Sequence, residues 1–446
     1  MREGGNPHIW DPEYECMDRE RLRQLQLERL QATLNRVFKN VSFYRKRFKE
    51  IGFVPEDDLT DLEDLKKLPF TTSSDVSDSY PYEMFAVPLR EVVRIHTSSG
   101  TMVNPRVVGY TKNDLKTWSN LVARILVAAG VTADDVIQVT FGYGLLTGGL
   151  GIHYGAELIG ASVLPTSTGR TERQIKIMKD FRTTVLVSTP SYALIIADRM
   201  EELGVDPKTL SLKYVVCAGE PWTEGMRREI EERLFATATD NYGISEVMGP
   251  GVAGECLERT GMHIQEDHFI AEIVDPTTGE TLPPGHTGEL VLTTITKEAF
   301  PVIRYRTGDL CRIIEEPCPC GRTFRKISRI EGRADNVVII KGINIVPERI
   351  GDILERIKGE RPPYQLVATR EGHEDQLEIR VAITESLFYD KMKEQRTLVD
   401  VMRHKVANFI GITPRIKLVE LRSLVRDEKG RIRLFIDERA DSAARK

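Results

Sequence analysis

From about Glu91 to Cys217, short β-branched runs alternate with stretches of helical periodicity. This alternation constrains the fold more than any other feature of the 446-residue chain. Val92-Val93-Arg94-Ile95, Val136-Ile137-Gln138-Val139, Thr184-Val185-Leu186-Val187-Ser188 and Tyr214-Val215-Val216-Cys217 read as strands. Residues 113–129, 172–181 and 193–203 read as helices, the first begun by Asn113 or Asp114. A strand wet on one face alternates apolar and polar residues, whereas these are continuously apolar. Such strands are buried on both faces, which predicts mostly parallel sheets covered by helices.

The flanking regions differ. Leu22, Leu25, Leu30, Leu34 and Val37 recur at helical spacing among charged residues, predicting an amphipathic helix with one buried stripe. After Thr287 the pattern turns to paired strands, Glu289-Leu290-Val291-Leu292 and Leu310-Cys311-Arg312-Ile313, which predict an antiparallel subdomain. A charged stretch over 329–336 precedes a compact unit of about 110 residues. That unit reads strand, helix (347–357), strand (365–369), strand (376–383), helix (400–409), strand (415–421). The expected architecture is a large N-terminal α/β domain with mostly parallel sheets and a small antiparallel β subdomain over 1–332. A hinge at 333–336 and a small mobile α+β C-terminal domain over 337–446 complete it.

Charge and cysteine usage exclude several functions. Lys and Arg number 62 against 67 Asp and Glu, so there is no bulk basic field for nucleic acid or an anionic membrane. No apolar run reaches the about 18 residues of a membrane span, and the first residues carry no apolar signal region. Six cysteines are too few for a disulfide scaffold. A cytoplasmic protein with reduced thiols is expected.

Four clusters carry chemistry. Thr97-Ser98-Ser99-Gly100-Thr101 follows a predicted strand and offers hydroxyls and N–H groups to phosphate oxygens, without the pattern of a Walker loop. Ala218-Gly219-Glu220-Pro221 and Asn241-Tyr242-Gly243-Ile244-Ser245-Glu246 each end a strand, and Tyr305-Arg306-Thr307-Gly308-Asp309 lies in the antiparallel part. Loops at the carboxyl ends of parallel strands converge on one rim, where small ligands bind. Tyr242 offers a flat face for a purine, Glu246 a hard carboxylate for Mg2+, and Asp309 an acceptor for both ribose hydroxyls. Taken singly, each residue is better explained as a helix cap or a surface ion pair; together they point to a nucleotide.

The order Ser-Ser-Gly-Thr, Tyr-Gly-x-Ser-Glu, Tyr-Arg-Thr-Gly-Asp and Gly-Arg-x-Asp resembles the adenylate-forming acyl-CoA synthetases. From end to end the chain is similar to the phenylacetate–CoA ligase family. Phe43-Tyr44-Arg45, Leu68-Pro69-Phe70-Thr71-Thr72, Thr147-Gly148-Gly149-Leu150-Gly151, Ser245-Glu246-Val247-Met248-Gly249-Pro250-Gly251 and Ile340-Lys341-Gly342-Ile343-Asn344 carry the likeness. The resemblance implies a two-step reaction. A carboxylate attacks the α-phosphorus of MgATP to give an acyl-adenylate, and coenzyme A thiol then displaces AMP. It implies that Ser98, Ser99, Gly100 and Thr101 hold phosphates. Gly219, Glu220 and Pro221, with Asp240, Tyr242 and Gly243, would frame adenine; Glu246 would bind Mg2+, and Asp309 and Arg333 the ribose. Asp335 falls at the pivot of the small domain, and Val338 to Gly342, with Lys341, would face the site during thiol transfer.

Two positions depart from the family pattern. Val103 stands where relatives usually have glycine, leaving Arg106 as the nearest phosphate counter-charge. Arg431 stands where relatives carry a lysine that bridges carboxylate and α-phosphate, and Lys429 could replace it only by a slip of register. Arginine keeps the charge but is forked and bulkier. Two other readings therefore stay open: an adenylyltransferase of the deazaflavin-cofactor type that stops at the AMP step, and a nucleotide-binding homologue with impaired adenylation.

The acyl pocket is expected at Phe141, Tyr143, Leu146, Gly149 and Ile244, where aromatics and glycines suit a flat ring in a narrow slot. The alternative is that the glycines only let a helix pack closely. Leu146 replaces a phenylalanine usual in relatives, consistent with an acid other than phenylacetate. Cys256, His263, Cys318 and Cys320 offer three sulfurs and one imidazole, a closed tetrahedral set for structural Zn2+; the alternative is four buried, unligated side chains. The expected partners are a small aromatic carboxylic acid, ATP and coenzyme A, with a homodimer as the candidate assembly.

Overall fold

The computed structural model describes residues 6–98, 105–335, 338–359, 361–382, 392–426 and 431–439. Ser99, Gly100, Thr101, Val103 and Lys429 lie outside the described residues. The chain divides into two compact units, the first ending at Asp335.

The first unit opens with the helix Arg19–Asn40, started by the Asp18 carboxylate, which accepts the N–H groups of Glu20 and Arg21. Leu22, Leu30, Leu34 and Val37 form its buried stripe, and Leu25 is half-buried. The strand expected at 92–95 lies two residues later, as β1 (Arg94–Thr97), paired antiparallel with β2 (Val107–Tyr110). The next helix, Lys112–Ala128, is capped by Thr111 rather than by Asn113 or Asp114. Asp114 is its third residue and completes a reciprocal capping box: it donates its N–H to the Thr111 hydroxyl at 3.0 Å and accepts the Thr111 N–H at 2.8 Å.

The main sheet has nine strands: β3 (Val136–Val139), β4 (Ser162–Leu164), β5 (Val185–Ser188), β6 (Tyr214–Ala218), β7 (Thr237–Ile244), β8 (Gly249–Glu255), β9 (Met262–Ile264), β13 (Ile313–Ile314) and β14 (Lys326–Ile327). They lie in the order β13-β14-β9-β8-β7-β6-β5-β3-β4. From β4 to β7 every pairing is parallel, and from β7 to β13 every pairing is antiparallel. Alternate residues of β5 enter two different cores. Val185 and Val187 pack with Trp118, Leu121 and Ile152, and Leu186 packs with Ile175, Ala193 and Ile230. Both faces are dry, as the unbroken apolar runs require.

The sheet is thus mixed, and antiparallel pairing starts at Gly249 rather than after Thr287. The reason is the tight reversal over 245–248, which turns β8 back beside β7. A second, antiparallel sheet joins β10 (Phe269–Val274), β11 (Gly288–Thr294), β12 (Tyr305–Cys311) and β15 (Gly332–Arg333). The single strand expected over 310–313 is divided at Arg312, so that Cys311 belongs to the second sheet and Ile313 to the first.

The second unit holds a hairpin, β16 (Val338–Ile340) and β17 (Ile343–Ile345), and a four-stranded sheet of β18 (Tyr364–Glu371), β19 (Glu374–Ala382), β20 (Arg415–Val419) and β21 (Phe435–Asp437). The helices Pro347–Lys358 and Met392–Ile410 supply Ile350, Leu354, Met402 and Val406 to one core with Leu366 and Ile379. No helix among the described residues is long and apolar enough to cross a membrane.

Candidate active site and metal-ligand cluster

Three of the predicted nucleotide residues form one bonded chain. The Tyr242 hydroxyl donates to Asp309 Oδ2 at 2.7 Å, and Arg333 Nη1 donates to Asp309 Oδ1 at 2.6 Å. Arg333 also holds Asp335 through two donors at 2.6 and 2.7 Å and the Thr307 carbonyl at 3.0 Å. Tyr242 ends a central strand and Asp309 lies in β12, 67 positions on, so the antiparallel sheet brings the pair together. Burial lifts both acids above their usual range, partly opposed at Asp309 by the Arg333 guanidinium. Gly308 turns the chain here at φ +78, and a Cβ on it would meet Arg333 and Asp335 at 2.4 Å.

At the end of β6, Gly219 is exposed and Glu220 accepts the Ser191 hydroxyl at 2.6 Å. Pro221 is exposed beside them. Asp240 is buried and its carboxyl is pushed up to about 7, chiefly by desolvation and then by the Glu255 carboxylate. Arg329, 3.9 Å away, offsets this only in part.

Glu246 is 2% exposed and pairs with Arg106 Nε at 2.9 Å. Arg106 also donates to the Ser73 hydroxyl at 2.7 Å. The reversal that carries Glu246 is pinned on four sides. Thr147 and Ser245 share a hydroxyl–hydroxyl bond of 2.9 Å, Lys297 donates to the Val247 carbonyl at 3.1 Å, Tyr110 to that of Met248 at 2.9 Å, and Trp118 to that of Pro250 at 2.8 Å. Lys297 is fully buried over the Tyr110 ring, 4.1 Å from its centre, and desolvation lowers its ammonium to about 8. Ser98 is buried, and its hydroxyl has no partner among the described residues.

Around the expected acyl slot, Phe141 lies against Gly219 at 3.6 Å from the place a Cβ would occupy. Tyr143 meets His153 Nδ1 at 3.3 Å, Ile244 is half-buried and Leu146 is 43% exposed. The glycines of the helix Gly148–Ile159 serve close packing. A Cβ at Gly149 would meet the Gly142 carbonyl at 2.6 Å, at Gly151 the Trp118 ring at 2.4 Å, and at Gly155 Val122 at 2.4 Å. Within the expected slot, close packing accounts for Gly149, whereas a Cβ on Gly144 would meet nothing within 4 Å and one on Gly148 would lie 3.7 Å from Phe141.

In the second unit, Lys341 sits at the tip of the β16–β17 hairpin at φ +51 with Gly342 at +74, and its ammonium pairs with Glu374. Two successive left-handed residues match the turn that a two-residue hairpin needs. Arg431 is exposed.

The ligating atoms of Cys256, His263, Cys318 and Cys320 all lie within 4.8 Å of one another. Cys256 Sγ stands 3.6 Å from Cys318 Sγ, and Cys320 Sγ stands 3.4 Å from His263 Nε2. His263 Nδ1 faces the Phe324 carbonyl at 3.3 Å; with its one proton held there, Nε2 would offer a lone pair to a metal in place of the hydrogen bond it gives the thiols without one. Hydrogen bonds from Cys256 and His263 hold the Cys320 thiol far below its usual range, and His263 lowers Cys318 despite burial. Three sulfurs and one imidazole, all turned inward, are a donor set for a closed tetrahedral metal site.

Sequence reading missed the Arg106–Glu246 pair, because 140 positions separate the two residues and no periodicity marks them. Lys297 and Asn241 were missed as well. A lysine followed by Glu298-Ala299-Phe300 reads as a surface turn, and only the fold shows it buried.

The mixed sheet and the separate α+β unit are the architecture of an AMP-binding enzyme, and comparison with known proteins shows that family. A model of that family matches residues 45–296, and a model of the AMP-binding enzyme C-terminal domain matches 342–439. The chain is 45% identical to the phenylacetate-coenzyme A ligase of Thermus thermophilus over 97% of this chain and 100% of that one. It is 47% identical to that of Escherichia coli over 93% and 94%. The chain belongs to the phenylacetate–CoA ligase family of AMP-binding enzymes. Among solved structures, it is similar to 2-hydroxyisobutyryl-CoA ligase in complex with 2-HIB-AMP and CoA, with a TM-score of 0.92 at 28% identity, covering 98% of this chain and 94% of that one.

Proposed function

We propose that this protein is an ATP-dependent aryl-acid–CoA ligase, forming an acyl-adenylate and then an acyl-CoA thioester. The observation that carries the reading is likeness over nearly the whole chain to phenylacetate–CoA ligases. The bonded set of Tyr242, Asp309 and Arg333 supports it.

A carboxylate is a poor electrophile, because its negative charge repels the attacking thiolate. In the first step its oxygen attacks the α-phosphorus of ATP, and pyrophosphate leaves. In the second, the thiol sulfur attacks the carbonyl carbon, and AMP leaves with the bonding pair. Asp309, with both oxygens already oriented by Tyr242 and Arg333, retains lone pairs for the ribose hydroxyls. Gly219, Glu220 and Pro221 line the adenine edge with Asp240, Tyr242 and Gly243. Ser98, with its unpartnered hydroxyl, would hold phosphate, as would Ser99, Gly100 and Thr101.

Glu246 fits Mg2+, since it is a hard carboxylate held in place by the pinned reversal. The ion would supply charge neutralisation at the departing phosphates. Arg106 and Arg431 add fixed positive charge, Arg431 to the adenylation step and Lys341 to the thiol-transfer step, with Asp335 as the pivot between them. Cys256, His263, Cys318 and Cys320 would hold a structural Zn2+, which would cross-link the fold and take no part in the chemistry. The test is pyrophosphate release with arylacetic and benzoic acids in the presence of MgATP, with thioester formation on adding coenzyme A. Release without thioester, and AMP left on the product, would point instead to an adenylyltransferase.

A further inference from the structure

Asn241 lies between Asp240 and Tyr242 in β7 and is 2% exposed, yet neither its Oδ1 nor its Nδ2 has a partner among the described residues. An amide offers four hydrogen-bonding positions, and one left wholly unpaired in a protein interior is destabilising. Both of its lateral neighbours are small: Ala218 on β6 and Gly254 on β8. A Cβ on Gly254 would point at Ile125. Paired residues share a sheet face, so Asn241 faces the side covered by the helices Lys112–Ala128 and Gly148–Ile159. Ala218 is only half-buried, and the Gly219 that follows it is exposed and touched by Phe141. Further along β7, Gly243 is exposed and Ile244 half-buried. The cover over these central strands therefore thins at their ends, beside Phe141, and the unpaired amide lies buried just inside that edge.

We infer that Asn241 is a specificity-determining residue that hydrogen-bonds a polar substituent on the acid, so that the substrate is an aromatic acid bearing a hydroxyl, amino or carbonyl group on its ring. The inference rests on the ligase reading and on Phe141, Tyr143 and Ile244 forming the slot. Phe141 and Ile244 supply area but no selection among substituents, and the Tyr143 hydroxyl is engaged with His153. An amide supplies direction: Oδ1 accepts from a hydroxyl or amino group, and Nδ2 donates to a hydroxyl or carbonyl oxygen. The effect is asymmetric. A site built around a hydrogen bond discriminates strongly against the analogue that lacks the partner, because its own buried groups are then left unpaired. Leu146 fits this reading without carrying it, since its side chain is exposed and makes no polar contact.

The test compares wild type with Asn241→Leu and Asn241→Ala on phenylacetic acid and benzoic acid and on their ring-hydroxylated and ring-amino forms. Acid binding is measured by calorimetry with AMP present, and turnover by pyrophosphate release. Wild type is expected to favour one of the substituted acids over its parent by about tenfold or more in kcat/KM. Asn241→Leu is expected to reverse the order while its AMP affinity stays unchanged. Asn241→Ala, which adds no bulk, is expected to abolish the preference. Equal use of substituted and parent acids by wild type would overturn the inference, as would equal losses on both in the two variants. If a substituted acid binds wild type but not the variants, and no pyrophosphate forms with any acid, the ligase reading fails and the assignment of Asn241 stands.

Discussion

In the proposed reaction, nucleotide binding turns on Asp309. Its two oxygens are fixed by donors from Tyr242 and Arg333 at 2.7 and 2.6 Å. Tyr242→Phe removes one donor from a buried acid, and AMP affinity measured by calorimetry is expected to fall about tenfold, the order of one lost buried hydrogen bond. Asp240 makes a separate prediction. Its carboxyl rises to about 7 in the folded state, against 3.8 for an ordinary aspartate. Between those values the folded chain holds a proton that the unfolded chain has released, so stability falls as pH rises and the loss is complete above about pH 7. Asp240→Asn should match wild type in Tm near pH 4 and exceed it increasingly up to pH 7, beyond which the gap stays constant. For Arg431→Ala, adenylation measured by pyrophosphate release should drop on the order of a hundredfold, as for loss of one fixed charge-stabilising donor. Thioester formation from supplied acyl-adenylate should change little.

At the scale of elements, the reversal between β7 and β8 decides where Glu246 sits. Lys297 and Tyr110 donate to two of its carbonyls, and Trp118 to that of Pro250 just beyond it in β8. Lys297→Met strips the donor from the Val247 carbonyl, so pyrophosphate release is expected to slow about tenfold, with AMP affinity measured by calorimetry held within twofold. The same elements mark what could be read from the chain alone. The parallel strands were legible because burial on both faces leaves an unbroken apolar run, as at Val185, Leu186 and Val187. The switch to antiparallel pairing at Gly249 was not, because Gly249 to Glu255 is rich in glycine and carries no period. Tyr242, Glu246 and Asp309 were legible as members of ordered motifs. Lys297 lies between motifs and Asn241 opens one without being singled out in it, because what sets both apart is burial, which the local sequence does not encode.

Over the whole molecule, the Cys/His cluster ties distant parts of the first unit together. The turn bearing Cys318 and Cys320 receives the Asn6 side chain on the Cys320 carbonyl at 3.0 Å, while Arg322 pairs with Glu15 at 2.6 Å. The proposed zinc predicts that a strong chelator releases one ion per chain, lowers Tm by several degrees and speeds proteolysis near the N-terminus. Cys318→Ser should show the same lowered Tm and faster proteolysis with no chelator added, and should carry less than one zinc per chain. The account as a whole is tested most directly by incubating the protein with MgATP, coenzyme A and a panel of arylacetic and benzoic acids while following AMP, pyrophosphate and thioester together. The account predicts that all three appear in equal amounts, and only when an accepted acid is present. Tight ATP binding with no pyrophosphate from any acid would contradict it.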